Sequence, residues 1–345
     1  MAEQIFKNPT GKGDIKLNEC KLPKSITDFE SRAERIPEVD KNYVDFGIQY
    51  KLAQIIKSKE DTFINEITIH IALKGQMGPG KDHDIEQLAA KLNYPYYRIP
   101  LSGEVRDVTL LGSVQLYGDG VGGTDSKWQD GELTRALRGP SIINLSELNA
   151  AGPEVLFALH SLLDRHKKLE LPNGEVIELR NDSYIFGTMN PTSLRDYAGT
   201  QTLNKAFADR WVIWDKPFPN KEQLESIFKK RYPKLQKEFT DLIIKLAIEI
   251  NNSFLSDDIS INIETPLSLR TVVERIPVGL DLYKNASDPL YETWKNMVLP
   301  HVNPEDLDHY STLWNTIVRN GPNIKPSLLF DLLKEYLCQF LTCKD

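Results

Sequence analysis

"KGQMGPGKDHDIEQLAAKL", residues 74–92, decides the fold. It meets the phosphate-loop pattern G-x-x-x-x-G-K-[ST] at Gly75, Gly80 and Lys81, then breaks it, because Asp82 stands where a hydroxyl belongs. Glycines let backbone N–H groups curl around phosphates, and a helix N-terminus adds partial positive charge. Lys81 would reach the β- and γ-phosphates. The context fits: "ITIHIAL" (67–73) is a short β-branched run leading into the loop, and "DIEQLAAKL" (84–92) is an amphipathic helix. Gly75, Gly78, Gly80, Lys81, Asp82 and His83 are the candidate nucleotide contacts. The competing reading is a tight strand-to-helix turn carrying an exposed lysine.

Further apolar runs follow: "YYRIPL" (96–101), "SIINLS" (141–146), "SYIFGT" (183–188) and "WVIWDK" (211–216). Helical patterns or loops separate them, which predicts α/β architecture, a mainly parallel sheet of five strands with helices on both faces. "RHKKLELPNGEVIELR" (165–180) alternates around Asn-Gly and predicts a hairpin. After Pro217 the strand signal stops and amphipathic helices take over, as in "EFTDLIIKLAIEINNSFL" (238–255) and "SLLFDLLKEYLCQFL" (327–341). The expected organisation is an irregular N-terminal arm (1–42), an α/β nucleotide-binding domain (43–217) and an α-helical lid (218–345).

Four further stretches carry chemistry. The run 141–146 ends in Ser146-Glu147, where two acidic residues would hold Mg²⁺ and polarise an attacking water. The Glu is present and the Asp is missing. "TMNP" (188–191) puts Asn190 at a strand's carboxyl end, where α/β sheets bind ligands. "LNKAFADRW" (203–211) and "TPLSLRTVVER" (265–275) place Arg210 and Arg270 at a strand start and a helix start. Each alone reads equally as a surface residue or a turn.

Their order is the stronger signal. Phosphate loop, strand with Glu, hairpin, strand with Asn, Asp-Arg and a helical region with an arginine resemble the AAA+ ATPases. "LSGEVRDVTLLGS" (101–113) and "WQDGELTRALRGPSIINLSELNAAGPEVLFALHSLLD" (128–164) are similar to their MoxR-type and dynein-related branch. The resemblance covers about residues 44–285. It implies that ATP and Mg²⁺ are the cofactors and that Lys81 binds the phosphates. It makes Glu147 the activator of water, Asn190 and Arg270 the two nucleotide sensors, and Arg210 an arginine finger acting on a neighbouring subunit. Arg138 and Arg195 are the alternative interface arginines. The resemblance further implies a homo-oligomeric ring, expected as a hexamer, that remodels a protein client, with a von Willebrand A-domain partner.

The departures fall at Asp82 and Ser146, the two positions that normally hold the metal. A carboxylate ~4–6 Å from phosphate would cost a few kcal/mol at an effective dielectric near 20, so an impaired, nucleotide-binding or purely structural ring is one reading. The other is an exchange, with the loop now offering the carboxylate and the strand the hydroxyl. Mg²⁺ takes oxygen ligands from either side.

Composition narrows the class. With 345 residues, 40% hydrophobic and 26% charged, the chain suits two globular units. A net charge of −7 argues against nucleic acid as the main partner. Cys20, Cys338 and Cys343 lack metal-ligand spacing. No secretory layout opens the sequence and no apolar run is long enough to span a bilayer, so a cytoplasmic location is expected.

Overall fold

A computed structural model describes residues 2–319 apart from 12, 27, 61–69, 77, 79, 119–122, 192–201, 236 and 259–260. The strands in chain order are β1 (Glu3–Phe6), β2 (Ile15–Asn18), β3 (His70–Lys74), β4 (Tyr96–Pro100), β5 (Gly112–Gly118), β6 (Thr124–Asp130), β7 (Ser141–Ser146), β8 (Lys168–Glu170), β9 (Val176–Glu178), β10 (Ser183–Met189) and β11 (Trp211–Asp215). Five of them form one sheet in the order β11-β3-β10-β7-β4, every pair parallel. A parallel sheet must be covered on both faces, and its strands then read as continuous apolar runs. Accordingly, every residue of β7 and β10 is buried.

Side chains alternate between two cores. On one face Ala72, Tyr97, Ile99, Ile143, Leu145 and Ile185 pack with helices Glu132–Leu137 and Pro153–Leu163. On the other, Ile71, Leu73, Ile142, Tyr184 and Phe186 pack with helices Ile48–Glu60 and Lys81–Lys91. A third core lies in the helices after β11, from Lys221–Arg231 and Lys237–Phe254 through Leu307–Trp314. The fold is therefore a P-loop α/β core followed by a helical region. The expected helix at 327–341, together with Cys338, Cys343 and Arg195, lies outside the described residues.

Two local features differ from the sequence expectation. Residues 3–18 hold the antiparallel hairpin β1–β2, whose Phe6 and Leu17 are buried against Leu52 and Ile56. Arg32, further along the same segment, is fully buried, bonding Asp28 and the carbonyls of Arg135 and Ala136. Each of its three guanidinium nitrogens donates to an acceptor inside the molecule, one of them a carboxylate, which favours burying the cation. The second feature is the hairpin β5–β6, whose strands are exposed along most of their length. The hairpin at Asn173-Gly174 forms as β8–β9, with Gly174 at φ +84° closing the turn.

Candidate nucleotide site

The carboxyl ends of the parallel strands build the site. Lys74 ends β3, Pro100 ends β4, Ser146 ends β7 and Met189 ends β10. After Lys74 the chain turns through Gly78 (φ +94°) and Gly80 (φ +78°) into helix Lys81–Lys91. Both angles lie in the left-handed region that glycine enters at little cost. Gly78 has a second reason to be glycine, since a Cβ there would sit 2.7 Å from the Ser268 Cβ. That contact brings the segment carrying exposed Arg270 against the phosphate loop.

Lys81 folds over the loop. Its Nζ donates to the carbonyls of Gly75 (2.6 Å) and Gln76 (2.9 Å) and to the Asn190 side-chain oxygen (3.1 Å). Asn190 is itself clamped by Asn149, whose amide donates to the Asn190 carbonyl at 2.8 Å and accepts from its N–H at 3.3 Å. Glu147 follows β7 directly, exposed, at φ 62° and ψ 45°. A non-glycine residue held in that left-handed region is strained, and such strain clusters at functional sites. Lys81, Glu147 and Asn190 thus gather at one end of the sheet.

Burial pushes the Lys81 ammonium down to about 8; the Asp82 and Glu147 charges oppose the fall and Lys216 adds to it. A phosphate contact needs the charged form. Nucleotide affinity is therefore expected to fall as pH rises through about 8, by up to ~10-fold per pH unit. The triphosphate is already ionised there, so it adds no slope of its own. Titrations between about pH 7 and 9.5 check this, and a flat profile would remove Lys81 from the phosphate contact.

Asp82 is the surprise of the site. Three strands present same-face residues to it: Arg98 from β4, Asn144 and Ser146 from β7, and Thr188 from β10. The register pairs Arg98 with Asn144, so period-2 alternation puts them on one face. Oδ1 of Asp82 accepts from Thr188 Oγ1 (2.7 Å) and Asn144 Nδ2 (3.0 Å). Oδ2 accepts from Arg98 Nε (2.9 Å) and Ser146 Oγ (3.2 Å), with Arg98 Nη2 also at 2.9 Å. Burial alone would raise this carboxyl, but the donors and the Arg98 charge hold it below its usual value. Asn144 turns its amide to Asp82 and the Tyr96 hydroxyl, leaving its own buried Oδ1 without a partner among the described residues.

The expected metal pair, Asp82 and Ser146, is thus adjacent. A carboxylate has about four lone-pair sites, and here all are taken, one side of them by a guanidinium. As arranged, the pair does not offer a magnesium site. Among the described residues no group of three or more His, Cys, Asp or Glu side chains is placed to hold a metal.

The other candidates separate. His83 is the next residue of the helix, bonded to Glu86 (3.0 Å) and Asp40 (3.3 Å), both of which raise its affinity for a proton. Arg138 is committed to Asp130 and Glu175. Arg210 donates to the carbonyl oxygens of His160 and Ala206 and lies 3.9 Å from Asp164. It precedes Trp211, which pairs with His70 at the start of β3, whereas the phosphate loop follows Lys74 at its end. At ~3.3 Å per residue the two ends are about 13 Å apart. Lys216 and Asp84, unremarked in the sequence, form a buried ion pair beside the loop, with Tyr43 also donating to Asp84.

Residues 70–211 match the model of the AAA domain, dynein-related subfamily. These residues are an AAA domain of that subfamily. The family is one of ATPases, so membership implies nucleotide binding. An uncharacterised protein of Staphylococcus haemolyticus is 26% identical to this chain over 227 residues, 64% of this chain and 84% of its own length. The aerobic cobaltochelatase subunit CobS of a Sinorhizobium species is 34% identical over 149 residues, 41% of this chain and 44% of its own. A crystal structure from Cytophaga hutchinsonii aligns over 86% of this chain and 93% of its own, at 17% identity and a TM-score of 0.39. No helix among the described residues is long and apolar enough to cross a membrane.

Proposed function

We propose that this AAA domain binds and hydrolyses ATP as one subunit of a ring that remodels a protein client. One observation carries the reading: Lys81, Glu147 and Asn190 meet at the carboxyl end of the sheet, while Arg210 stands at the opposite end. Lys81 neutralises the β- and γ-phosphates, Glu147 takes a proton from the attacking water, and Asn190 orients it. Arg210 cannot reach its own subunit's loop across the sheet, so its use is in the neighbour's site, where it stabilises charge on the transferred phosphoryl group. Arg270, carried beside the loop by the Ser268–Gly78 contact, reports nucleotide state to the helical region. A hexamer is the ring expected. The likeness to a chelatase subunit supports work on a partner assembly, and a von Willebrand A-domain protein is the partner proposed. If Mg²⁺ is used, Asp82 and Ser146 are the residues that would meet it, once Arg98 had moved away.

A second reading is favoured by the saturated Asp82 carboxylate: a ring that binds nucleotide and turns it over slowly or not at all. Hydrolysis measured against protein concentration separates the two. Turnover should rise more than proportionally with concentration. Arg210→Ala should lower it about 10³-fold or more, and adding the mutant to wild type should poison mixed rings. Turnover proportional to concentration and indifferent to Arg210→Ala would end the ring reading. Absence of turnover, with nucleotide still bound, would leave the second.

A further inference from the structure

We propose that Arg98 is the resident counter-charge of this nucleotide site, so that nucleotide binds without a divalent cation. The inference rests on the nucleotide reading above. In a phosphate-loop enzyme the ion between the loop hydroxyl and the strand carboxylate neutralises the phosphate oxygens. In this chain those two positions hold Asp82 and Ser146, and a guanidinium already joins them. Arg98 Nε and Nη2 both lie 2.9 Å from Asp82 Oδ2, and Nη2 donates to Ser146 Oγ at 3.1 Å. The cation is seated against the two residues from which a metal would have been held.

Its geometry suits phosphate. A guanidinium offers five N–H donors in a planar fork that matches phosphate oxygens. Nη1 makes no hydrogen bond among the described residues, and the side chain is 48% exposed. One side of the fork is therefore anchored and the other is available to a ligand at the strand ends. Thr188 and Asn144 fix the far oxygen of Asp82, so the carboxylate acts as a seat for Arg98 rather than as a repelling charge. This accounts for the odd letter in the loop: an acidic residue at position 82 is tolerable beside phosphates because a cation sits on it. It also accounts for the missing strand carboxylate. A second acid at position 146 would crowd Asp82, whereas the Ser146 hydroxyl both donates to Asp82 and accepts from Arg98.

Calorimetric titration of the full chain with ADP and with ATP, in excess Mg²⁺ and in excess EDTA, tests this. The wild-type dissociation constants should agree within about threefold between the two conditions. Arg98→Gln should bind about 10- to 100-fold more weakly in EDTA, the loss expected for a charge-assisted contact. Mg²⁺ should recover at least about tenfold of that loss, because Asp82 is then free to meet an ion. Wild-type binding more than about threefold tighter with Mg²⁺ would overturn the inference while leaving the nucleotide reading intact. Unchanged binding by folded Arg98→Gln in EDTA would also overturn it. No wild-type binding in either condition would overturn the nucleotide reading and this inference together. The wild-type comparison tests the metal-free half of the inference even if Arg98→Gln does not fold, and Arg98→Lys, which keeps the charge but not the fork, then tests the other half: binding in EDTA unchanged from wild type would overturn the guanidinium contact.

Discussion

Replacing Glu147 by Gln is expected to lower ATP hydrolysis about 10²- to 10⁴-fold, the span removed with a general base, while nucleotide affinity changes little. The amide keeps the shape of the side chain and loses only its ability to accept a proton. The backbone supplies a second arm. Glu147 is held at φ 62° immediately after a fully buried strand, and a strained conformation of this kind costs of order 1–3 kcal/mol. Glu147→Gly should therefore be as inactive as the Gln variant yet more stable, by about 1 kcal/mol, because glycine enters this region freely. Stability gained on losing a side chain, with activity lost, marks strain kept for function. Hydrolysis assays and thermal unfolding of the two variants check both halves. Full turnover in Glu147→Gln would remove this residue from the chemistry. Destabilisation by glycine would mean that the side chain is structural.

Much of this site could be read from the chain alone, for a definite reason. The loop glycines, Lys81, Glu147 and Asn190 lie within or beside the strand–loop–helix and strand-end patterns that place them. Local sequence carries their geometry. Arg98 escapes that kind of reading. In "YYRIPL" it stands at an alternating, outward position, where a charge is ordinarily just solvated. Its role depends on the parallel register that aligns it with Asn144, and on the first turn of a helix 16 residues earlier. Lys216 and Asp84 meet across 132 residues, and neither is unusual in its own segment. The hairpin β5–β6 shows the converse. Both strands are exposed along most of their length, and β6, with Trp128 as its one apolar residue, lacks the alternation by which strands are recognised. The hairpin β1–β2 buries only Phe6 and Leu17 from its two four-residue strands, too little pattern to register.

The exchange of carboxylate and hydroxyl between positions 82 and 146 makes the last expectation quantitative. Asp82→Thr alone removes the acceptor for Arg98, Asn144, Ser146 and Thr188 together. Donors left unpaired cost about 1–3 kcal/mol each when buried, but Asp82 and Arg98 are partly solvated. Discounted for that exposure, a loss of about 2–3 kcal/mol is expected. At roughly 2–4 °C per kcal/mol this lowers the melting temperature by about 5–10 °C. Ser146→Asp alone brings a second carboxylate to where the hydroxyl lies, 3.2 Å from Asp82 Oδ2. Like charges at that distance cannot both ionise cheaply, so a similar loss is expected. In the double variant a hydroxyl faces a carboxylate again, and Arg98, on the strand next to β7, still has an acid within reach. The pair should return to within about 1 kcal/mol of wild type, a coupling of several kcal/mol in the cycle. Nucleotide affinity should follow the same order, low in each single variant and recovered in the pair. Additive effects in melting temperature and affinity would mean that the two positions changed independently, and that Asp82 is a lesion rather than half of an arrangement.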